Sequence, residues 1–388
     1  MSARLYFDWN ASAPLRDEAR QAVLRALELT GNASSVHAEG RAARALIEAA
    51  RTEVARLVGA EARNVTFTSG ATEANTLALT PALETAGDKR RRDRLLVSAI
   101  EHPSVLCGGR FDAAAVEHIP VNGDGVVDLA ALRRALARCE RPLVSLMLAN
   151  NETGVVQPVR EAAEIVHAAN GLLHVDAVQA PGRIGCDMAA LGADLMTLSA
   201  HKLGGPQGAG ALIRRSSVFG DIHIAEPLIK GGGQERATRA GTESVAAIAG
   251  LGAAALAAQQ ADAAHMAKLR DALEAGLKAT TPEVVIFGEG ALRLPNTTMF
   301  AVPGIKAETA LIAFDLDGIA VSSGSACSSG KVQASHVLAA MGVSPALARG
   351  AVRVSLGRTS TAADVERFLG TWIKLSGSLL KERAGIAA

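Results

Sequence analysis

The sequence predicts an α/β fold: a large domain on a mostly parallel sheet with helices on both faces, joined to a smaller α+β domain. Three observations carry that expectation. Between about residues 64 and 213, apolar runs of strand length alternate with helix-like segments. An Ala-rich helical stretch then runs over about 245–279, and beyond it short strands and helices come in mixed order. At 388 residues the chain is also too long for one simple core.

The strand-length runs are 64–68, 95–98, 143–148, 172–175 and 195–198, with helical patterns at 128–139 and 159–169 between them. Such alternation puts the strands parallel and the ligand beyond their carboxyl ends. The later region predicts strands near 284–287, 296–302 and 351–355 and helices near 307–314 and 335–341, with an N-terminal strand at 5–8 joining that smaller unit. The basic run Lys89–Arg94 reads as a solvated turn.

Charge and composition exclude several classes. Lysine plus arginine (40) nearly cancels aspartate plus glutamate (39), which gives no reason to expect nucleic acid or a membrane surface as partner. The apolar run 245–258 is too short for the roughly 20 residues of a spanning helix. Residues 1–15 lack the basic and apolar regions of a secretory signal. The four cysteines, Cys107, Cys139, Cys186 and Cys327, are widely spaced with no C-x-x-C pair, which argues against zinc or a disulfide framework and for a reducing cytoplasm.

Cys327 stands apart. Seven of the nine residues over 322–330 are serine or glycine, a composition that forms a loop and holds a thiol within reach of solvent and substrate. The other three cysteines sit in ordinary helix or turn contexts and read as structural.

Polar residues also follow the predicted strand ends. After the first comes Thr68-Ser69-Gly70-Ala71-Thr72-Glu73, a tight turn into a helix whose free N–H groups suit a phosphate, or equally an ordinary helix cap. Asp176 ends another strand, with Gln179 three residues on, and needs a partner against desolvation. Ser199-Ala200-His201-Lys202 follows the next, placing Lys202 across the crevice from Asp176, where the two could simply pair. No P-loop, dinucleotide fingerprint or His-Glu-x-x-His is present. A phosphate cup, a buried carboxylate and a strand-end lysine suit pyridoxal phosphate, which a lysine carries covalently while an aspartate keeps its ring nitrogen protonated.

Further motifs give a resemblance. Glu101-His102-Pro103, Asn150–Gly154, His174–Gln179, Ser199–Lys202, Gly232–Arg236 and Arg239–Thr242 resemble the class V aminotransferase family. Together with Ser322–Gly330 and Ser335–Leu338 they are similar to the cysteine desulfurases of the nitrogen-fixation and iron–sulfur-cluster type, and the likeness runs from Tyr6 to Arg358.

The resemblance implies a large domain over 13–253 with a seven-stranded, mostly parallel sheet, and a small domain from 1–12 and 254–388. It implies that Lys202 carries pyridoxal phosphate, Asp176 pairs its ring nitrogen, and His102 stacks on the ring and acts in acid–base steps. Gln179 and Asn151 would bond the ring oxygen and substrate atoms. Ala71, Thr72, Ser199 and His201 would hold the phosphate, with Thr242 reaching over from the second subunit of a homodimer. Arg353 would clamp the carboxylate of L-cysteine. The implied reaction leaves L-alanine and a persulfide on Cys327, which passes sulfur to an acceptor protein such as an iron–sulfur scaffold. A thiol is only a few per cent ionised at neutral pH, so His102 or the substrate amine must take its proton.

Alternatives stay open at this point. His102 could be a helix-start residue and Arg353 an ion-pair member. An aminotransferase or lyase of the same fold would dispense with Cys327, and a non-catalytic assembly subunit would be free to lose Lys202 or Asp176. Gln207, Ala237, Lys331, Gln333 and Ala334 depart from the family's commoner residues, with glycine usual at the position of Ala237. The short tail 379–388 leaves the acceptor open.

Overall fold

The computed structural model describes residues 4–85, 88–215, 221–323 and 334–386, with side chains as far as residue 377. Its main sheet has seven strands, in the order Val65–Thr68, Gly210–Arg214, Leu195–Ser199, Leu172–Asp176, Pro142–Met147, Arg94–Ser98 and Val116–Ile119. The strands from Leu195–Ser199 to Val116–Ile119 run parallel. Gly210–Arg214 is antiparallel to both its neighbours. The mostly parallel sheet is therefore as expected.

Side chains alternate between two cores, as the two-residue period of a strand requires. Leu95 and Val97 point to one face, where Leu143, Leu172 and Leu195 join the helix Ala71–Ala78. Leu96, Val144, Leu173, Val175 and Met196 fill the other, under the helices Ala38–Leu57, Leu129–Leu136, Val159–Ala168 and Val245–Ala258. Both faces are covered, so these strands read as unbroken apolar runs. Small residues let the outer helices close in: a Cβ on Gly252 would lie 2.5 Å from the Cα of Ala50.

A second core gathers around the antiparallel strands Val285–Ile286, Thr297–Ala301 and Val352–Ser355. The short strand Leu5–Tyr6 pairs in parallel with Ile319–Ala320, and Phe7 enters the same core. Phe314 stacks on Phe368 at 4.8 Å, Phe300 meets Trp372 edge-on at 5.2 Å, and the Trp372 indole N–H donates to Thr281 Oγ1. The helices Ala263–Thr280, Ala307–Leu316 and Ala362–Ile386 supply much of this packing. Among the described residues no helix is long and apolar enough to cross a membrane.

One expectation needs correction, and four elements lie outside the expected set. The helical stretch over 245–279 is two helices, Val245–Ala258 and Ala263–Thr280. The second starts where the Asp262 carboxylate accepts the His265 N–H at 2.9 Å, satisfying a donor that a continuous helix would not leave free. The strands Val116–Ile119 and Gly210–Arg214 were not anticipated. The first is a half-exposed edge carrying Glu117 and His118, and the second begins inside a glycine-rich run. The helices Asp17–Leu27 and Ala38–Leu57 were likewise not anticipated.

Candidate active site

A cavity of about 1030 Å³ opens beyond the carboxyl ends of the parallel strands, where Met147, Asp176 and Ser199 finish them. It brings together Ala71, Thr72, His102, Asn151 and Asp176 with Gln179, Ser199, His201, Lys202 and Arg353. Thr242 is exposed and stands outside this lining. Cys327 lies outside the described residues, but Ser322 and Ala334, on either side of that segment, both line the cavity.

Lys202 sits on a single helical turn, Ala200–Leu203, that follows its strand directly. Its amine donates to the carbonyls of Asn10 at 2.6 Å and Ala11 at 2.8 Å. Burial, helped by Arg353 and Arg183, pushes the ammonium down to about 8, against the opposite pull of Asp8 and Asp176. Lys202 and Asp176 therefore do not simply pair. A lysine made less cationic by its surroundings is suited to covalent chemistry with an aldehyde.

Asp176 is 6 % exposed and is held by neutral donors. Asn75 Nδ2 donates to its Oδ2 at 2.9 Å and the Val178 N–H to its Oδ1 at 3.1 Å. Each carboxylate oxygen accepts more than one hydrogen bond, so capacity remains for a protonated ring nitrogen. Across the cavity, the helix Ala71–Ala78 begins with N–H groups at Ala71 and Thr72 that have no acceptor within the helix. The sheet approaches this turn closely: a Cβ on Gly210 would lie 2.6 Å from the Gly70 carbonyl carbon. Glu73, whose charge would oppose an anion here, is tied off by Arg239 at 2.9 Å and by the Ser69 N–H at 2.8 Å. His201 is pushed down to about 4 by burial and by Lys202, which leaves it neutral at pH 7.

His102 is both a cap and a cavity residue. Its Nδ1 accepts the Ser104 N–H at 3.2 Å and so starts the turn Pro103–Leu106. Burial lowers its pKa; Asp176 opposes that shift, and Lys202 and His336 add to it. Its neighbour Glu101 is fully buried, and burial pushes its carboxyl well above the usual range. One oxygen accepts the Met147 N–H at 2.6 Å, while Oε2 has no partner among the described residues. A neutral acid explains how that side chain is tolerated inside the fold.

Arg353, 4 % exposed, is an ion-pair member as well as a cavity residue. Nη2 donates to Asp8 Oδ1 at 2.7 Å and Nη1 to the Asn151 carbonyl at 2.9 Å, while Nε is buried without a partner among the described residues. A substrate carboxylate would have to share this guanidinium with Asp8. Gln179 Nε2 donates to the Asn10 carbonyl at 3.0 Å, and its oxygen accepts from Arg183. Because arginine only donates, that contact fixes which way the amide faces and leaves one Nε2 hydrogen for the cavity.

Sequence reasoning missed Asn10. It is 1 % exposed, takes Lys202 and Gln179 on its carbonyl, and donates Nδ2 to Thr297 Oγ1 at 2.9 Å and to the Asn151 carbonyl at 3.1 Å. A polar residue just after a predicted strand was the available signal.

The class-V aminotransferase model matches residues 5–368. A cysteine desulfurase of Cereibacter sphaeroides is 45% identical over 94% of both chains. The structure of a NifS-like protein from Rickettsia africae superposes with a TM-score of 0.84 at 36% identity, covering 96% of this chain and 99% of its own. A structure of SspA in complex with cysteine matches at a TM-score of 0.76 and 28% identity, over 92% of this chain and all of the other. With a match of this length and a strand-end lysine facing a buried aspartate, the chain belongs to the class-V aminotransferase family and, within it, to the cysteine desulfurases.

Proposed function

We propose that this cysteine desulfurase transfers the sulfur of L-cysteine to Cys327 and releases L-alanine, with pyridoxal phosphate held on Lys202. The observation that carries the coenzyme reading is one cavity holding a lysine whose pKa is pushed down to about 8, a buried aspartate and a helix N-terminus with no side-chain cap. The donor set fits: lysine for the aldehyde, aspartate for the ring nitrogen, N–H groups for the phosphate. Bound there, the coenzyme would supply an electron sink for charge developing at the substrate α-carbon.

The chain's own groups do the rest. Asp176 holds a proton on the ring nitrogen, while Gln179 and Asn151 orient ring and substrate. Ala71, Thr72, Ser199 and His201 hold the phosphate, joined by Thr242 of the partner subunit across a homodimer. Arg353 binds the substrate carboxylate through a planar fork that also fits Asp8. The Cys327 thiolate then attacks the substrate sulfur: an S–S bond forms, the C–S bond breaks, and the carbon takes up a proton to give alanine. The persulfide passes its outer sulfur to an acceptor protein such as an iron–sulfur scaffold. Ser322, five residues before Cys327 in the chain, lines the cavity and pairs with Arg353 through both backbone bonds, which supports Cys327 as the thiol of this reading. A reducing cytoplasm suits Cys107, Cys139 and Cys186, which are free thiols. The chain is proposed to divide at 12/13 and 253/254, with Arg353 and Cys327 on the smaller unit.

Incubation with L-cysteine and dithiothreitol tests the reading. With the reductant the native protein yields alanine and sulfide in step, and without it mass spectrometry finds one added sulfur on the Cys327 peptide. Cys327→Ala keeps the coloured coenzyme and loses sulfide production. Normal desulfuration by that variant would remove the thiol from the mechanism.

A further inference from the structure

Two side chains, Asn75 and Ser104, link Asp176 to His102, and the chemistry of each fixes the proton on the next. Asp176 takes the Asn75 amide on Oδ2 at 2.9 Å and, as a carboxylate, can only accept. The Asn75 nitrogen must therefore face it, and the second hydrogen of that nitrogen reaches Ser104 Oγ at 2.9 Å. The Ser104 hydroxyl lies 2.8 Å from His102 Nδ1 and still has its own hydrogen to give once that nitrogen is shown to accept. The Ser104 backbone N–H, always a donor, points at the same Nδ1 at 3.2 Å. Two donors on Nδ1 require a lone pair there, so the neutral ring carries its hydrogen on Nε2.

We propose that Ser104 and Asn75 are positioning residues that lock His102 as the Nε2–H tautomer, so that it meets the reacting atoms as a hydrogen-bond donor and not as the base for the attacking thiol. The proposal rests on the desulfurase reading for the reaction, but the tautomer stands on the hydrogen bonds alone. Nε2 has no protein partner among the described residues, so the donor is left to the cavity. An Nε2 that already bears hydrogen cannot accept the Cys327 proton. Of the two groups open to that task, the substrate's amino group remains.

The arrangement also sets how the ring titrates. Protonating it must place hydrogen on Nδ1, against two donors, so these contacts hold His102 neutral to lower pH. Asp176, Lys202 and His336 are the charged or titratable groups that act on the ring, with the buried Glu101 beside it in sequence. Removing the Ser104 hydroxyl takes away one opposing donor. The His102 midpoint then rises by about half a unit to one unit. Protonation leaves the Nε2 hydrogen in place but breaks both Ser104 contacts at Nδ1, so the locked ring position is lost as pH falls through the midpoint and the acid limb of activity moves to higher pH with it.

The test is ring-¹⁵N NMR of histidine-labelled full-length protein, with and without pyridoxal phosphate, the His102 signals assigned by their loss in His102→Gln. We expect Nδ1 to be the unprotonated nitrogen and Nε2 the protonated one, the midpoint to rise in Ser104→Ala, and Ser104→Thr to restore it. The acid limb of alanine formation should move with the midpoint. An unprotonated Nε2 in the neutral ring, or a midpoint unchanged in Ser104→Ala, overturns the proposal. The NMR needs no turnover, so it reads the tautomer even if desulfuration itself fails to appear.

Discussion

The two walls of the cavity are built in opposite ways. On the sheet side, Asp176, Ser199 and Lys202 each stand at or just past the end of a parallel strand, fixed by backbone within a few residues. On the other side, Asp8, Asn10 and Arg353 are held by one another and by Asn151, Thr297 and Ser355, with the Arg353–Asp8 pair joining positions 345 residues apart. The sheet wall is rigid by topology. The opposite wall exists only when two cores are docked, and a residue that joins them is where substrate binding can be made conditional on that docking.

The largest effect should come from the sheet wall. Lys202→Ala removes the amine without touching a core contact, so the protein should fold, show no visible coenzyme band and lose at least about a thousandfold in alanine formation. Far-ultraviolet circular dichroism and absorbance separate the two outcomes. A coloured, active variant would show that the strand-end position does not define the site.

The opposite wall predicts a smaller and different loss. Arg353→Lys keeps the charge but gives up the fork that now spans Asp8 and the Asn151 carbonyl. Charge-assisted hydrogen bonds contribute about 1.5–3 kcal/mol, so kcat/KM for L-cysteine should fall by roughly 10- to 100-fold, mostly through KM. The coenzyme band should stay unchanged. A fall in kcat alone would mean that Arg353 acts on the reacting atoms and not on substrate capture.

This contrast also explains what could be read from the sequence. Asp176 and Lys202 were legible because an apolar run ending in a charged residue is a local pattern, and the parallel topology places all such ends on one edge. Asn10 was not, since its neighbours lie at 151, 297 and 355 and no local period relates them. The same holds for Glu73, which in sequence is only part of a helix start but in space is neutralised by Arg239 beside the cradle. The break at 259–262 was missed because alanine favours helix on both sides and no glycine or proline marks it; Asp262 as a cap was the one cue. Strand Val116–Ile119 escaped because a half-exposed edge need not be apolar.

The smallest prediction lies away from both walls, in the segment leading to Thr242. Glu235, Arg236 and Ala237 take three successive left-handed conformations, with φ of 48°, 56° and 61°. Glu235 is held there by a buried ion pair with Arg51 at 2.8 Å and by the Phe67 N–H at 2.8 Å. Ala237 has no comparable tether, and its Cβ opposes this conformation by roughly 1–2 kcal/mol. Glycine removes that cost but gives back part of it as unfolded-chain entropy. Ala237→Gly should therefore stabilise the protein by up to about 1 kcal/mol in urea unfolding, with the coenzyme band and alanine formation unchanged. If the variant is instead destabilised, the left-handed turn is held by contacts of the alanine methyl rather than by the Arg51–Glu235 anchor.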